Sequence, residues 1–161
     1  SSAASVVYKR QRRYYVVPIV IAIVSIITVF GFGSSDTTPE NIEPAFMVYD
    51  GQITRVIDGD TLLIDQTKIR LSLVNSPERG EMGYEEAKDF ASTVCPVGAN
   101  AEYVEDSWQP VDKYGRSVGL VYCNDMLLNE LLLTNGHAEI STYFCDKSEF
   151  GNEGWARAYG C

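Results

Sequence analysis

Two acidic residues two positions apart, Asp58 and Asp60 in "RVIDGDTLLI", are the first place where this chain could do chemistry. In a strand, residues i and i+2 share a face, so the two carboxylates would repel each other. Either water screens the pair or a cation sits between them. Read as turn chemistry alone, Asp-Gly between apolar runs is a hairpin signal. The second place is "KIRLSLVNSPERG". Strand alternation puts Arg70, Ser72 and Val74 on one face and Ile69, Leu71 and Leu73 on the other. A guanidinium inside an apolar strand is costly unless an anion pairs with it. The Asn-Ser-Pro-Glu that follows breaks the strand and presents Glu78 on a loop. The third is "VDKYGRSVG", where Asp112–Gly115 is turn chemistry and Arg116 opens the next strand. Each piece alone has an ordinary structural reading.

The elements that must position these residues follow from periodicity. Strands are expected near 47–57, 60–65 and 68–74. "GYEEAKDFASTV" spaces Tyr84, Ala87, Ala91 and Val94 as one helical face, ended by Pro96. Strands are expected again near 99–105 and 117–123. "DMLLNELLLTNG" predicts a second helix stopped by Gly136. "AEISTYF" reads as a short extended piece and 148–158 as a last helix. Three strands, a helix, two strands and further helices suit an α+β, mainly β chain: a small closed barrel with helices at one end.

The rest of the chain is different in kind. Val16–Gly33 is an 18-residue apolar run without charge, preceded by Lys9, Arg10, Arg12 and Arg13. This is the short end of a transmembrane helix, and the basic flank predicts a cytoplasmic N-terminus (1–15) with the rest outside. Cleavage of a signal peptide near residues 31–35, giving a secreted protein, is the rival reading. The chain lacks an initial Met, which places the expected natural start upstream. A polar linker with two prolines spans 34–45 and a globular domain spans 46–161. Residues 36–161 carry nine bases against all 22 acids, a net charge of −13. Such a domain cannot hold nucleic acid by net electrostatic attraction; local bases or bound cations must offset it. The four cysteines contain no Cys-x-x-Cys pair, which disfavours zinc and favours disulfides in an oxidising compartment.

In order, "VIDGDTLLI", "IRLSLVNSPE", "DKYGRSVGLVY" and "LLNELLLTNGHA" resemble the staphylococcal (micrococcal) nuclease family from about Val48 to Ile140, with weaker similarity at "SEFGNEGW". The resemblance implies a five-stranded OB-fold barrel with about three helices. It also implies a calcium-dependent phosphodiesterase acting on DNA or RNA. Carried over by motif, Asp60 is a Ca2+ ligand, Asn75 stands at the second ligand position, and Ser76 supplies a backbone carbonyl. Glu78 orients or deprotonates the attacking water, and Arg70 and Arg116 hold the phosphate. Lys113 and Tyr114 lie near the nucleotide. The chemistry is coherent: charge builds on phosphoryl oxygens, which a hard cation and forked guanidiniums neutralise.

Asn75 departs from the family, which has Asp there. A neutral amide oxygen in place of a carboxylate lowers calcium affinity, so a millimolar requirement, another divalent metal or lost catalysis are the expectations. The alternative function is therefore a catalytically weak barrel that binds nucleic acid or another anion at the cell surface. In a barrel of this kind, strands 99–105 and 117–123 form a hairpin. That suits a Cys95–Cys123 disulfide, with Cys145–Cys161 tying down the tail, although four cysteines allow three pairings. His137 and Trp155 read as packing residues and Trp108 as a loop or packing aromatic. Tyr143 lies one residue off a family tyrosine near the nucleotide.

Overall fold

The computed structural model describes residues 47–161. The predicted membrane segment and most of the linker lie outside them, and among the described residues no helix is long and apolar enough to cross a membrane. The strands are β1 (Val48–Val56), β2 (Thr61–Ile64), β3 (Thr67–Leu71), β4 (Val74–Asn75), β5 (Asn100–Glu105), β6 (Ser117–Cys123), β7 (Met126–Leu127) and β8 (Glu139–Ile140). The helices are α1 (Tyr84–Val94), α2 (Leu128–Thr134) and α3 (Gly154–Ala158).

The sheet order is β3-β2-β1-β5-β6-β7, and β3 also pairs with β6. That last, parallel pairing closes five strands into a barrel and leaves none of the five with a free edge on both sides of its neighbours. Ile53, Leu62, Ile69, Leu71 and Val121 fill its interior, and Ala91, Val94, Leu128 and Leu132 from α1 and α2 plug one end. The helical face expected for α1 is the buried one: Tyr84, Ala87, Ala91 and Val94. Cys95–Cys123 and Cys145–Cys161 are both bonded. The first joins the end of α1 to the end of β6, where Cys123 stands opposite Ala101 at the start of β5.

Four expectations need correction. The strand expected over 68–74 stops at Leu71, because Leu73 has φ 63°, a left-handed conformation that turns the chain. Alternation therefore fails beyond Leu71: Ser72, Leu73 and Val74 are all buried, and Val74–Asn75 pairs instead with β8. The helix expected from Asp125 starts at Leu128. Asn124 and Asp125 both have positive φ (52° and 61°), the signature of a tight primed turn, so Met126–Leu127 folds back on β6. The last helix is split into a 3-10 turn at Glu149–Asn152 and α3. The break falls at Glu153, whose extended backbone (φ −63°, ψ 147°) separates the two. The "AEISTYF" piece is extended only at Glu139–Ile140 and then forms a 3-10 turn over Thr142–Phe144.

Candidate active site

The site grows from the turn between β1 and β2. The Ile57 and Asp58 N–H groups donate to the Thr61 carbonyl, and the Asp58 carboxylate accepts from the Asp60 N–H (3.2 Å). Asp58 thus shapes the turn. Gly59 is required by packing: a Cβ there would lie 2.7 Å from the Ser76 Cβ and 2.8 Å from the Ala87 Cβ. This close approach seats the turn against Ser76 and α1, and buries Asp60 to 5% exposure.

Asp60 is the hub. Its Oδ2 accepts from the Ser76 N–H (2.7 Å) and the Ser76 hydroxyl (2.9 Å), and lies 3.2 Å from Arg70 Nη2. Its Oδ1 accepts from the Thr61 hydroxyl (3.1 Å). Arg70, in register with Thr61 across β2 and β3, finds the anion that its apolar strand demanded. Its Nη1 donates to the carbonyls of Leu71 (3.0 Å) and Val74, so the guanidinium also clamps the kink at Leu73. Its Nη2 reaches the Asn75 amide oxygen (3.2 Å). Burial lowers the Arg70 pKa and the Arg116 charge adds to this, while Asp60, Asp58 and Glu78 oppose it. Burial, reinforced by the Asp60 charge, raises the Asp58 pKa.

Arg116 approaches from the β5–β6 connection. Asp112 Oδ1 accepts from the Tyr114 and Arg116 N–H groups (2.8 and 3.0 Å), and Asp112 Oδ2 accepts from Arg116 Nε (2.6 Å). Burial pushes the Asp112 pKa upward, but these hydrogen bonds and the Arg116 charge outweigh it and the net direction is down. Arg116 Nη1 donates to the Thr61 hydroxyl (3.2 Å). Tyr114 is 71% exposed, with Lys113 and Arg116 4.9 and 5.4 Å from its ring centroid. Glu78 is exposed on its loop, its N–H held by Glu81 (2.8 Å). A cavity of 260 Å3 opens beside Asn75 and Ser76 and is walled by Pro77, Met82, His137 and Glu139; Asp60, Arg70 and Arg116 do not line it. The His137 ring packs on Phe90, 4.5 Å between centroids.

The oxygens available to a metal are the Asp60 Oδ1, which takes one hydrogen bond and keeps a lone pair, the Asn75 amide and Asp58. Among the described residues no three His, Cys, Asp or Glu side chains converge in metal-ligand geometry. The set is all oxygen and low in charge, which fits a hard divalent cation held weakly and does not fit zinc. Ser76 contributes its N–H and hydroxyl to Asp60, an interaction that motif reading does not anticipate. Thr61 and Asp112 were also passed over. Their signals were present in the sequence: a hydroxyl beside Asp60, and an acid four residues before Arg116.

Trp108 is 62% exposed on the loop before Asp112, whereas Trp155 packs against the core. Tyr143 is exposed, with the Lys147 ammonium over its ring; hydrogen bonding and charge from Lys147 lower its pKa.

A five-stranded barrel closed by the β3–β6 pairing, with three helices, is an OB-like barrel. The profile of the family described as Staphylococcal nuclease homologue matches residues 68–154, more than half the chain. The chain belongs to that family. An uncharacterized protein of Bacillus anthracis is 30% identical over 105 residues, covering 58% of this chain and 48% of that protein. The micrococcal nuclease of Shigella flexneri is 30% identical over 83 residues, 49% of this chain and 45% of its own length. The thermonuclease of Staphylococcus intermedius is 26% identical over 141 residues, 78% and 79% of the two chains. The chain thus spans about half the length of the first two relatives.

Proposed function

We propose that this protein hydrolyses phosphodiester bonds of DNA or RNA in a calcium-dependent reaction, outside the cytoplasm, anchored by residues 16–33. The observation that carries the reading is a pair of guanidiniums joined to one buried carboxylate, Arg70 at 3.2 Å from Asp60 and Arg116 through the Thr61 hydroxyl. The family membership and the relatives named as nucleases support it.

The residues divide the work as follows. Arg70 and Arg116 bind the two non-bridging oxygens of a phosphodiester, and each is oriented beforehand by a carboxylate, Asp60 or Asp112. Preorganised cations stabilise the charge that grows on those oxygens as water attacks phosphorus. Glu78, on the solvent side, takes the proton of that water, and the bond to the leaving oxygen breaks. Asp60, Asn75 and Ser76 are the residues that would hold a calcium ion, which would supply further positive charge at the phosphate. Lys113 and Tyr114 flank the nucleotide, the tyrosine offering an exposed stacking face.

A second reading has its own observation. The Asn75 amide oxygen is already engaged by Arg70, so the second metal-ligand position is neutral and partly occupied. That favours an anion-binding barrel with little catalysis. One titration separates the two. Cleavage of single-stranded DNA and RNA is followed from zero to several millimolar calcium, with Glu78→Ser and Arg70→Ala alongside. Calcium-dependent cleavage that falls about 100-fold or more in both variants is the expected result. Binding of the same strands without cleavage at any calcium concentration establishes the second reading instead.

A further inference from the structure

Arg116 is gripped at two ends. Asp112 holds Nε from the turn that carries Arg116 itself, a contact four residues apart in sequence. The second grip comes from the barrel wall. The Thr61 hydroxyl, on a residue only 2% exposed, accepts from Arg116 Nη1 (3.2 Å) and donates to Asp60 Oδ1 (3.1 Å). A hydroxyl has one proton and two lone pairs, so it can do both at once. Arginine has no acceptor and an ionised carboxylate no donor, so the direction of the chain is fixed: Arg116 N–H to Thr61 O–H to Asp60.

We propose that Thr61 is a positioning residue for phosphodiester hydrolysis, its hydroxyl tying the Arg116 guanidinium to the carboxylate that also holds Arg70. The proposal rests on the nuclease reading above. Asp60 then orients both phosphate-facing cations, Arg70 directly at 3.2 Å and Arg116 through one hydroxyl. Two like charges are thereby tied to one anion. With Nε and Nη1 restrained, rotation about the last bonds of Arg116 is blocked and its remaining N–H groups keep a fixed aim. Thr61 suits the position for a second reason. A β-branched residue in a strand has restricted χ1, so the hydroxyl is held in place before any ligand arrives.

The test compares Thr61→Val, which keeps the shape and loses the hydroxyl, with Thr61→Ser, which keeps the hydroxyl. The full chain is used in detergent, with thermal melting to verify that each variant is folded. On a single-stranded oligonucleotide, Thr61→Val is expected to lower kcat about 10- to 100-fold with little change in KM, as loss of an orienting contact does. Thr61→Ser is expected to recover most of that loss. In the background of Arg116→Ala, Thr61→Val should cost much less, because its route to the substrate is already gone. Nitrogen NMR of Arg116 provides a readout that needs no turnover: guanidinium rotation should be slow in the wild type and Thr61→Ser, and fast in Thr61→Val. If the wild type cleaves and Thr61→Val is as fast, or Thr61→Ser is as slow as Thr61→Val, the positioning role falls and the nuclease reading stands. If the wild type does not cleave, the nuclease reading falls and the catalytic role of Thr61 with it. Rotation rates equal in all three proteins overturn the linkage itself.

Discussion

Two buried aspartates anchor two polar networks in this barrel, and they are built differently. Asp106 is 0% exposed and accepts from the Ser72 hydroxyl (2.8 Å) and from the N–H groups of Trp108, Gln109 and Glu149 (3.2–3.3 Å). Around it, Ser148 meets Ser72 at 3.1 Å, and Asn129 donates to the Ser72 and Gly119 carbonyls while accepting from the Val121 N–H. Every donor to Asp106 is neutral, and three of the four are backbone. Asp60 is nearly as deeply buried, but beside the Ser76 N–H and hydroxyl its partners are an arginine with 15% of its side chain exposed and a hydroxyl that leads to a second arginine. The Asp106 network joins the β5–β6 loop to the C-terminal segment and is complete. The Asp60 network ends in two guanidiniums whose side chains are 15% and 24% exposed. One buried carboxylate is tied off inside the fold; the other leads through side chains to partly exposed cations.

The sharpest way to break that contrast is to remove each carboxylate. Asp106→Ala removes the acceptor of one buried hydroxyl and three partly buried backbone N–H groups and should cost about 2–3 kcal/mol in denaturant unfolding. Asp60→Ala strands the Ser76 N–H and hydroxyl and the Thr61 hydroxyl and leaves Arg70 without its ion pair, so its cost should be at least as large, about 3 kcal/mol or more, and cleavage is lost as well. An Asp106→Ala protein that folds but no longer cleaves, or an Asp60→Ala protein that still cleaves, would break the contrast.

A gain should come from the position that departs from the family. Asn75→Asp adds a negative charge beside Arg70 and a carboxylate for calcium. It is expected to lower the calcium concentration at half-maximal cleavage by roughly tenfold, about 1.4 kcal/mol. Isothermal titration with calcium alone gives the same comparison without substrate. An unchanged midpoint would remove Asn75 from the metal-binding set.

The smallest effect concerns Asp112. Its pKa is below the ordinary aspartate value in the folded chain, so the stability it adds is fully present above that ordinary value. The contribution is lost as pH falls through the lower, folded value. In Asp112→Asn the acid limb of the stability curve should be correspondingly flatter below about pH 4. An acid limb identical to that of the wild type would mean that the grip on Arg116 contributes nothing to folding.

Much of this was legible in the sequence, for a local reason. Apolar periodicity found α1 and the strands of the barrel, and the resemblance to the nuclease family, carried by motifs in order, implied Asp60, Arg70, Asn75, Ser76, Glu78 and Arg116 as one group. Such signals survive because they depend on neighbours in the chain. Positive φ at Leu73, Asn124 and Asp125 was not legible, because left-handed residues other than glycine are chosen by the turns they must close. The kink at Leu73 matters to the site, since it brings the Val74 carbonyl and the Asn75 amide onto Arg70.

The sequence by itself determined the mainly β character, the helical face of α1, the need of Arg70 for an anion, and the set of chemically capable residues. Periodicity and the cost of a buried charge are properties of residue type and order. Tertiary structure alone decided which anion meets which cation. Asp60 and Arg70 are adjacent because β2 and β3 pair in one register, and Arg116 joins them because β6 closes the barrel against β3. Thr61 meets its chain neighbour Asp60 locally, but Arg116, 55 residues away, only through that closure. Hydrogen bonds act over about 3 Å, and only the folded barrel sets distances on that scale between residues so far apart in sequence.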